Sequence, residues 1–157
     1  ALARYADVIE RDMGVDIKDR LGAGAAGGLV AGLMAFLGAK LMAGVDIVLD
    51  AVGLDDLLEG ADLVITGEGQ IDHSTTFNKA PVGVARLARG RSIPVIVIAG
   101  GLGEGYRETH ELGIDAAFPL VSGPMSLEQA IAEAESLLEA TAEEVVRALR
   151  VGRSLGG

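Results

Sequence analysis

Short apolar runs alternate with helical patterns over the second part of the chain. The first run, ADLVIT at residues 61–66, is followed by a polar, glycine-rich segment and by a helical pattern that begins at Pro81 and ends at Gly90. Two more runs follow, PVIVIA at 94–99 and IDAAFPL at 114–120. Their apolar residues occupy consecutive positions, as in parallel strands covered on both faces. The pattern predicts an α/β fold with a doubly wound, Rossmann-like parallel sheet between two layers of helices.

Two further signals complete the predicted layer. Between the second and third runs we expect a glycine loop at 100–105 and a short helix that ends near Gly113. Ser126 and Gln129 have the spacing of a capping box, which marks a helix start. The apolar row after them keeps helical spacing for about 23 residues, so we expect one long helix to close the unit. The row consists of Ala130, Ile131, Ala134, Leu138, Val145 and Leu149.

The first sixty residues show no comparable strand pattern. We predict an amphipathic helix at residues 4–13, a buried helix at 28–42 and one or two short helices at 45–60. Residues 1–60 are accordingly assigned to a glycine-rich, helical second domain, and residues 61–157 to the C-terminal part of the α/β domain. A three-stranded parallel sheet has open edges, so we expect the remaining strands on a missing N-terminal part of the same protein.

Composition narrows the class of protein. The 157 residues suit about one domain, and a hydrophobic share of 50% excludes an intrinsically disordered chain. The net charge of −10 repels phosphate backbones and anionic lipid headgroups, so nucleic acid is not an expected partner. With no cysteine and only two histidines, thiolate nucleophiles and multi-histidine metal sites are excluded, and a reducing, cytoplasmic location fits the sequence.

An uncharged stretch at residues 21–39 raises the alternative of a membrane span or an oligomerisation element. Gly24, Gly28 and Gly32 repeat the small-residue spacing of membrane helix dimers. Twelve of the nineteen residues are glycine or alanine, which gain little from lipid. We therefore expect no membrane span, but a buried helix whose small face admits another backbone. The alternative that this stretch supports a homodimer stays open.

The glycine-rich start of that stretch is the first candidate binding site. Gly22, Gly24 and Gly27 have the spacing of a dinucleotide fingerprint, but charged residues rather than a strand precede them, so that motif fails on context. What remains is a loop that opens a helix, where free N–H groups and the helix dipole can receive an anion. Close helix packing is the equally open alternative. The candidate phosphate-binding residues are Gly24, Ala25, Ala26, Gly27 and Gly28.

The second candidate site is the polar segment TGEGQIDHSTTFNK at residues 66–79. It follows the first predicted strand, and doubly wound sheets bind their ligands at the carboxyl ends of strands. A carboxylate there can accept a proton from a substrate hydroxyl or hold Mg²⁺, so Glu68 and Asp72 are candidate catalytic groups, and Asp72 is the candidate Mg²⁺ ligand. The alternative is a polar surface loop with ordinary caps. The candidate substrate- or phosphate-binding residues of this segment are Gly67, Gly69, Thr75 and Thr76.

Lys79 is the third candidate catalytic residue. It lies two residues before Pro81, at the predicted start of a helix, where its ammonium group and the helix dipole are both positive. This arrangement indicates a negative partner. Either the Asp72 carboxylate supplies it, which would be structural, or a phosphate group of a bound ligand supplies it, which would be functional.

Several of these motifs together resemble one family. GAGAAGGL at 22–29, ADLVITGEGQID at 61–72 and the Lys-x-Pro-x-Gly-Val segment at 79–84 are similar to the C-terminal part of the bacterial glycerate kinases of type I, as are GIDAAF at 113–118 and GPMSLEQA at 123–130. The resemblance covers nearly the whole chain. It implies ATP-dependent phosphorylation of D-glycerate with Mg²⁺, by a longer protein that opens with a strand and a loop absent here.

The chain departs from the family pattern at two positions. Ser74 stands where the family often has glutamine, and Asn78 where it often has glycine. Among the residues other than glycine, asparagine best tolerates a left-handed backbone, so we expect the turn at Asn78 to persist. The rival hypothesis is a noncatalytic α/β module that binds a small anion or a nucleotide.

Overall fold

A computed structural model describes residues 1–155 of the chain. The chain forms two compact units, residues 1–43 and the residues from Gly44 onward. Each unit has its own hydrophobic core, and each is described by itself below.

The first unit consists of helices α1 (Leu2–Met13) and α2 (Ala25–Leu37). Ala6 and Ile9 of α1 pack with Ile17, Ala23 and Ala31 in a small core. The amphipathic helix predicted at residues 4–13 is thereby confirmed. Its apolar face explains why the short α1 is stable, since packing rather than intrinsic propensity supports most helices of this length.

The helix predicted at residues 28–42 differs from α2 in two respects. It ends at Leu37 because Gly38 takes a left-handed conformation with φ 63°. It is also not a buried helix within this unit, since Leu29 and Phe36 are each 61% exposed. The reason is that α2 is apolar on all sides, whereas α1 covers only one of them.

The second unit contains a three-stranded parallel sheet in the order β1 (Val64–Ile71), β2 (Val95–Leu102) and β3 (Ala116–Pro119). The predicted parallel α/β fold is confirmed. Helix α5 (Ala80–Arg89) connects β1 to β2, and a 3-10 helix at Tyr106–His110 connects β2 to β3. Short helices α3 (Gly44–Ala51) and α4 (Leu54–Leu57) precede the sheet.

Alternate residues of β2 face opposite layers of the unit. Val95, Val97 and Ala99 pack into the core that contains Ala85 and Ala88 of α5. Their neighbours Ile96 and Ile98 pack with Val145 on the other face. Burial on both faces explains why the apolar residues of this strand are consecutive.

Both long strands extend beyond their apolar runs into the glycine-rich segments. β1 continues through GEGQI to Ile71, and β2 continues through Gly100 and Gly101 to Leu102, so the predicted glycine loop at 100–105 is shorter than expected. Strand pairing uses backbone groups only, and glycine permits it where the two backbones lie close. A Cβ atom at Gly67 would lie only 2.8 Å from the carbonyl oxygen of Ile98.

The C-terminal helical region begins as predicted but is interrupted. Ser126 Oγ accepts a hydrogen bond from Gln129 N at 3.2 Å, and Gln129 Oε1 accepts one from Ser126 N at 3.1 Å, so the capping box is present. The prediction of a single long helix is wrong. Helices α6 (Leu127–Ala132) and α7 (Ala134–Leu155) are separated at Glu133, whose φ is −102°. Hydrogen bonds from Glu133 N to Gln129 O and from Leu137 N to Glu133 O continue across it, so the break is a local distortion.

The boundary between the two units lies at 43/44, whereas the predicted domain boundary lies at 60/61. Residues 44–60 pack with the sheet because Leu58 is buried in the core of the second unit and Leu54 lies against it. The one or two short helices predicted at 45–60 are present as α3 and α4. No helix within residues 1–155 is long and apolar enough to cross a membrane.

Candidate active site at the carboxyl end of the sheet

Asp72 lies directly after β1 and begins a 3-10 helix at His73–Thr76. Its Oδ1 accepts hydrogen bonds from Ser74 N at 2.8 Å and from Ser74 Oγ at 2.5 Å. Its Oδ2 accepts one from Gln70 Nε2 at 3.2 Å. These bonds hold the carboxylate in one orientation at the ligand end of the sheet.

The same bonds favour the ionised form of Asp72. The hydrogen bond from the Ser74 hydroxyl is the main cause that lowers the pKa of the Asp72 carboxyl group, with smaller contributions from the backbone N–H of Ser74 and from the positive charge of Lys79. Asp72 is therefore a carboxylate at neutral pH. An ionised, accessible carboxylate suits metal coordination better than it suits proton donation.

The two candidate threonines of the segment, Thr75 and Thr76, have local structural partners. Thr75 is fully buried, and its Oγ1 accepts a hydrogen bond from Asp72 N at 3.2 Å. Thr76 Oγ1 donates to the carbonyl oxygen of His73 at 2.6 Å. Both hydroxyl groups thus stabilise the 3-10 turn, and their role as phosphate contacts stays a prediction.

Glu68 lies within β1 itself, opposite Ala99 of β2. This register places Glu68 on the face of the sheet that α5 covers, where Ala99 belongs to the core. One carboxylate oxygen, Oε1, is 3.5 Å from Lys79 Nζ. The other, Oε2, is buried and has no hydrogen-bond partner among the described residues. A buried acceptor without a partner is uncommon in folded proteins, and a catalytic role or a bound water or ion is among its recognised explanations.

Lys79 is the N-cap residue of α5, with Pro81 in the first turn. The side chains of Lys79 and Glu68 are 39% and 26% exposed, so water screens their interaction. The expectation of a negative partner is met, but the nearest carboxylate is Glu68 rather than Asp72, because Glu68 faces α5. Asn78 has φ 62°, so the predicted left-handed turn is present.

The glycines of β1 have different surroundings. Gly67 is required by packing, since a side chain there would meet the backbone of Ile98. At Gly69 a Cβ atom would meet nothing within 4 Å. Both glycines lie within β1 rather than in the loop that follows it. Their role as substrate or phosphate contacts stays a prediction.

The glycine-rich segment of the first unit is not a regular helix start. Ala26, Gly27 and Gly28 have φ values of 49°, 67° and 94°, so the first turn of α2 is left-handed and regular helix follows it. A Cβ atom at Gly28 would lie 2.7 Å from Leu2 Cδ2 on α1. Close packing therefore accounts for Gly28, and anion binding by residues 24–28 stays a prediction.

Three contacts at this site were missed by sequence reasoning. Gln70 Nε2, near the end of β1, donates a hydrogen bond to Oδ2 of Asp72, two residues further along the chain. His73 Nδ1 lies 2.7 Å from Glu108 Oε2, which joins the segments that follow β1 and β2. Arg86 bonds Asn78, and no local pattern marks that pair. In the described part of the chain, no three histidine, aspartate or glutamate side chains converge to hold a metal ion.

Comparison with known proteins identifies the family. The family model described as "Glycerate kinase family" matches residues 1–150. The chain belongs to the glycerate kinase family. It is 51% identical over 144 residues to a glycerate kinase of Halalkalibacterium halodurans, covering 92% of this chain and 38% of that protein. It is 41% identical to the glycerate 2-kinase of Escherichia coli, covering 99% of this chain and 41% of that protein.

A solved member of the glycerate kinase family has the same fold. A chain from Salmonella typhimurium LT2, provisionally named glycerate kinase 2, superposes with a TM-score of 0.73 at 43% identity. The match covers 96% of this chain and 38% of the other. This chain therefore spans about two fifths of the length of the relatives it matches.

Proposed function

We propose that the protein containing this chain transfers the γ-phosphoryl group of ATP to a hydroxyl group of D-glycerate, which yields phosphoglycerate and ADP. Family membership supports this reaction class, since the similar proteins from Halalkalibacterium halodurans and Escherichia coli are named as glycerate kinases. The single structural observation that carries the proposal is the Glu68 carboxylate, whose Oε2 is buried and unpartnered among the described residues and whose Oε1 lies 3.5 Å from Lys79 Nζ.

In this proposal Glu68 acts as the general base. The substrate hydroxyl oxygen forms a bond to the γ-phosphorus while the bond from that phosphorus to the bridging oxygen of ADP breaks. The hydroxyl proton passes to a carboxylate oxygen of Glu68, which is close to the strand end and has a free acceptor position. The positive charge of Lys79 stabilises the negative charge on the phosphoryl group during transfer.

Asp72 is the proposed Mg²⁺ ligand, and its surroundings fit that role. Mg²⁺ is usually held by one or two carboxylates together with substrate phosphates and water, so a cluster of three acidic residues is not needed. The pKa of Asp72 is lowered, and its Oδ2 has only one bond, at 3.2 Å, to Gln70. Mg²⁺ would supply charge neutralisation at the phosphates of ATP. Glu68 fits less well as a ligand because the Lys79 ammonium group lies beside it.

Other parts of the proposal concern the whole protein. The α/β domain is proposed to be completed by an N-terminal part, with residues 1–43 in a second domain. Gly24–Gly28, Gly67, Gly69, Thr75 and Thr76 are proposed to contact substrate or phosphate. A cytoplasmic location and a homodimer complete the proposal.

The test is glycerate-dependent ADP release by the full-length protein and by its Glu68→Gln variant. The amide keeps the size of the side chain but cannot accept the proton, so turnover should fall roughly a hundredfold or more. Glu104→Gln is the matched control, because Glu104 is an exposed carboxylate that follows the neighbouring strand β2. Ordinary turnover in Glu68→Gln would remove Glu68 from the site. Absence of glycerate-dependent ADP release in the unmodified protein would contradict the function itself.

A further inference from the structure

Asn78 occupies a backbone position that governs where the Lys79 side chain points. Its φ of 62° lies in the left-handed region, and it directly precedes Lys79, the N-cap residue of α5. The two residues share a planar peptide unit, so a rotation about the Asn78 backbone redirects the Lys79 Cα–Cβ bond. The placement of the ammonium group beside Glu68 therefore depends on the conformation of this one residue.

The Asn78 side chain is held by an arginine two turns further along α5. Arg86 Nη1 donates a hydrogen bond to Asn78 Oδ1 at 3.1 Å. Arg86 Nη2 donates to Asp46 Oδ1 on α3. The guanidinium group is planar and presents its donors in a fixed geometry, so one rigid group connects the Asn78 turn to α3.

Helix α3, which carries Asp46, packs closely against α5. A Cβ atom at Gly83 of α5 would lie 2.6 Å from Val45 Cγ2 and 3.1 Å from Leu49 Cδ1, so α3 and α5 are in close contact there. Asp46 follows Val45 directly, and its side chain is about one third exposed. The packing of the two helices therefore determines the position of the α3 backbone that carries Asp46.

We propose that Arg86 is a positioning residue, which acts through Asn78 to hold Lys79 beside Glu68. This inference rests on the proposed function, in which Lys79 contacts the phosphoryl group in transfer. Glycine also adopts a positive φ, but it has no side-chain amide for an arginine to bind. The hydrogen bond from Arg86 to the Asn78 amide therefore stabilises the turn in a way that a glycine could not.

The test uses three variants of the full-length protein: Arg86→Met, Asn78→Gly and the two combined. Arg86→Met keeps the aliphatic stem and removes the donors, and Asn78→Gly keeps the left-handed backbone and removes the amide. Each single change should lower kcat roughly five- to tenfold, since a small misplacement of a catalytic group is sufficient, while KM for D-glycerate changes little. The double variant should lose no more than either single variant, because both remove the same connection.

Arg89→Met is the matched control, since Arg89 lies on the same helix and bonds the carbonyl oxygen of Glu111 instead. It should leave kcat unchanged. If the unmodified protein is an active kinase and both single variants retain its kcat, the positioning role is overturned and the proposed function stands. The positioning role is also overturned if the two losses multiply in the double variant or if each is matched by a lowered Tm. If the unmodified protein forms no ADP with D-glycerate, both proposals fall.

Discussion

At the scale of single residues, Asp72 and Lys79 differ in how they are held. Three hydrogen bonds from Ser74 and Gln70 fix the Asp72 carboxylate within its own segment. Within the described residues, Lys79 has one carboxylate oxygen at ion-pair distance, Oε1 of Glu68 at 3.5 Å, and the direction of its backbone follows from the turn at Asn78. Asp72 is thus held by its own segment, whereas the partner of Lys79 comes from β1.

Replacement of Lys79 by methionine in the full-length protein should separate a phosphate contact from a structural ion pair. An exposed ion pair contributes about 0–1 kcal/mol, so Tm should change by no more than a few degrees. The transferred phosphoryl group ends on phosphoglycerate, so loss of the Lys79 contact should weaken binding of that product roughly tenfold or more, since a charge-assisted hydrogen bond is worth about 1.5–3 kcal/mol. Calorimetric titration with phosphoglycerate and thermal unfolding measure the two effects.

Lys40→Met provides the control for this prediction, because Lys40 is exposed and lies outside the segments of the candidate site. It should change neither phosphoglycerate binding nor Tm. A lower Tm of Lys79→Met with unaltered phosphoglycerate binding would make Lys79 a structural residue.

Local residue chemistry was predictable from the sequence, whereas distant pairings were not. The capping box of Ser126 and Gln129 and the left-handed turn at Asn78 depend on neighbouring residues alone, and both are present. The bond between Arg86 and Asp46 joins residues forty positions apart. Which carboxylate faces Lys79 depends on the face of β1 that α5 covers, so the sequence suggested Asp72 and the structure places Glu68 there.

At the scale of elements, the extended strands β1 and β2 follow from the placement of glycine. Apolar runs predicted where the strands begin, but their ends depend on how closely the two backbones lie. Gly67 faces the carbonyl oxygen of Ile98, and a Cβ atom at Gly100 would lie 2.4 Å from the carbonyl oxygen of Gly69. Such contacts involve residues on different strands, so hydrophobic patterning alone cannot indicate them.

Two alanine substitutions in β1 test this explanation. Gly67→Ala should lower the free energy of unfolding by about 1–3 kcal/mol, because the new methyl group meets backbone that cannot move aside easily. Gly69→Ala is the matched control, since its Cβ atom would meet nothing within 4 Å and φ at neither residue is positive. It should change the free energy of unfolding by less than about 0.5 kcal/mol.

Urea unfolding of the full-length protein, followed by circular dichroism, measures both variants of this pair. Equal destabilisation would contradict the packing explanation for Gly67. A loss of ADP binding in Gly69→Ala without a change in stability would instead support the proposed phosphate contact at that residue.

At the scale of the whole molecule, the chain carries a set of proposed catalytic residues but spans only part of the length of its relatives. Its three-stranded sheet ends at β1 on one side and at β3 on the other, and no further strand pairs with either among residues 1–155. Glu68 lies within β1, Asp72 directly follows that strand, and Lys79 is the N-cap residue of α5. The matched relatives are about two and a half times as long, since the chain covers 38–41% of them.

We therefore expect the 157-residue chain alone to show no glycerate kinase activity, even when it is folded. A kinase must bind ATP and the acceptor in line with each other, and positioning of both reactants accounts for a large part of the rate. Purified chain, shown to be monodisperse and folded by circular dichroism, is compared with the full-length protein for ADP release with and without D-glycerate. Turnover of the chain at an ordinary kinase rate, about 1 to 100 per second, would show that the rest of the protein is not needed for the chemistry.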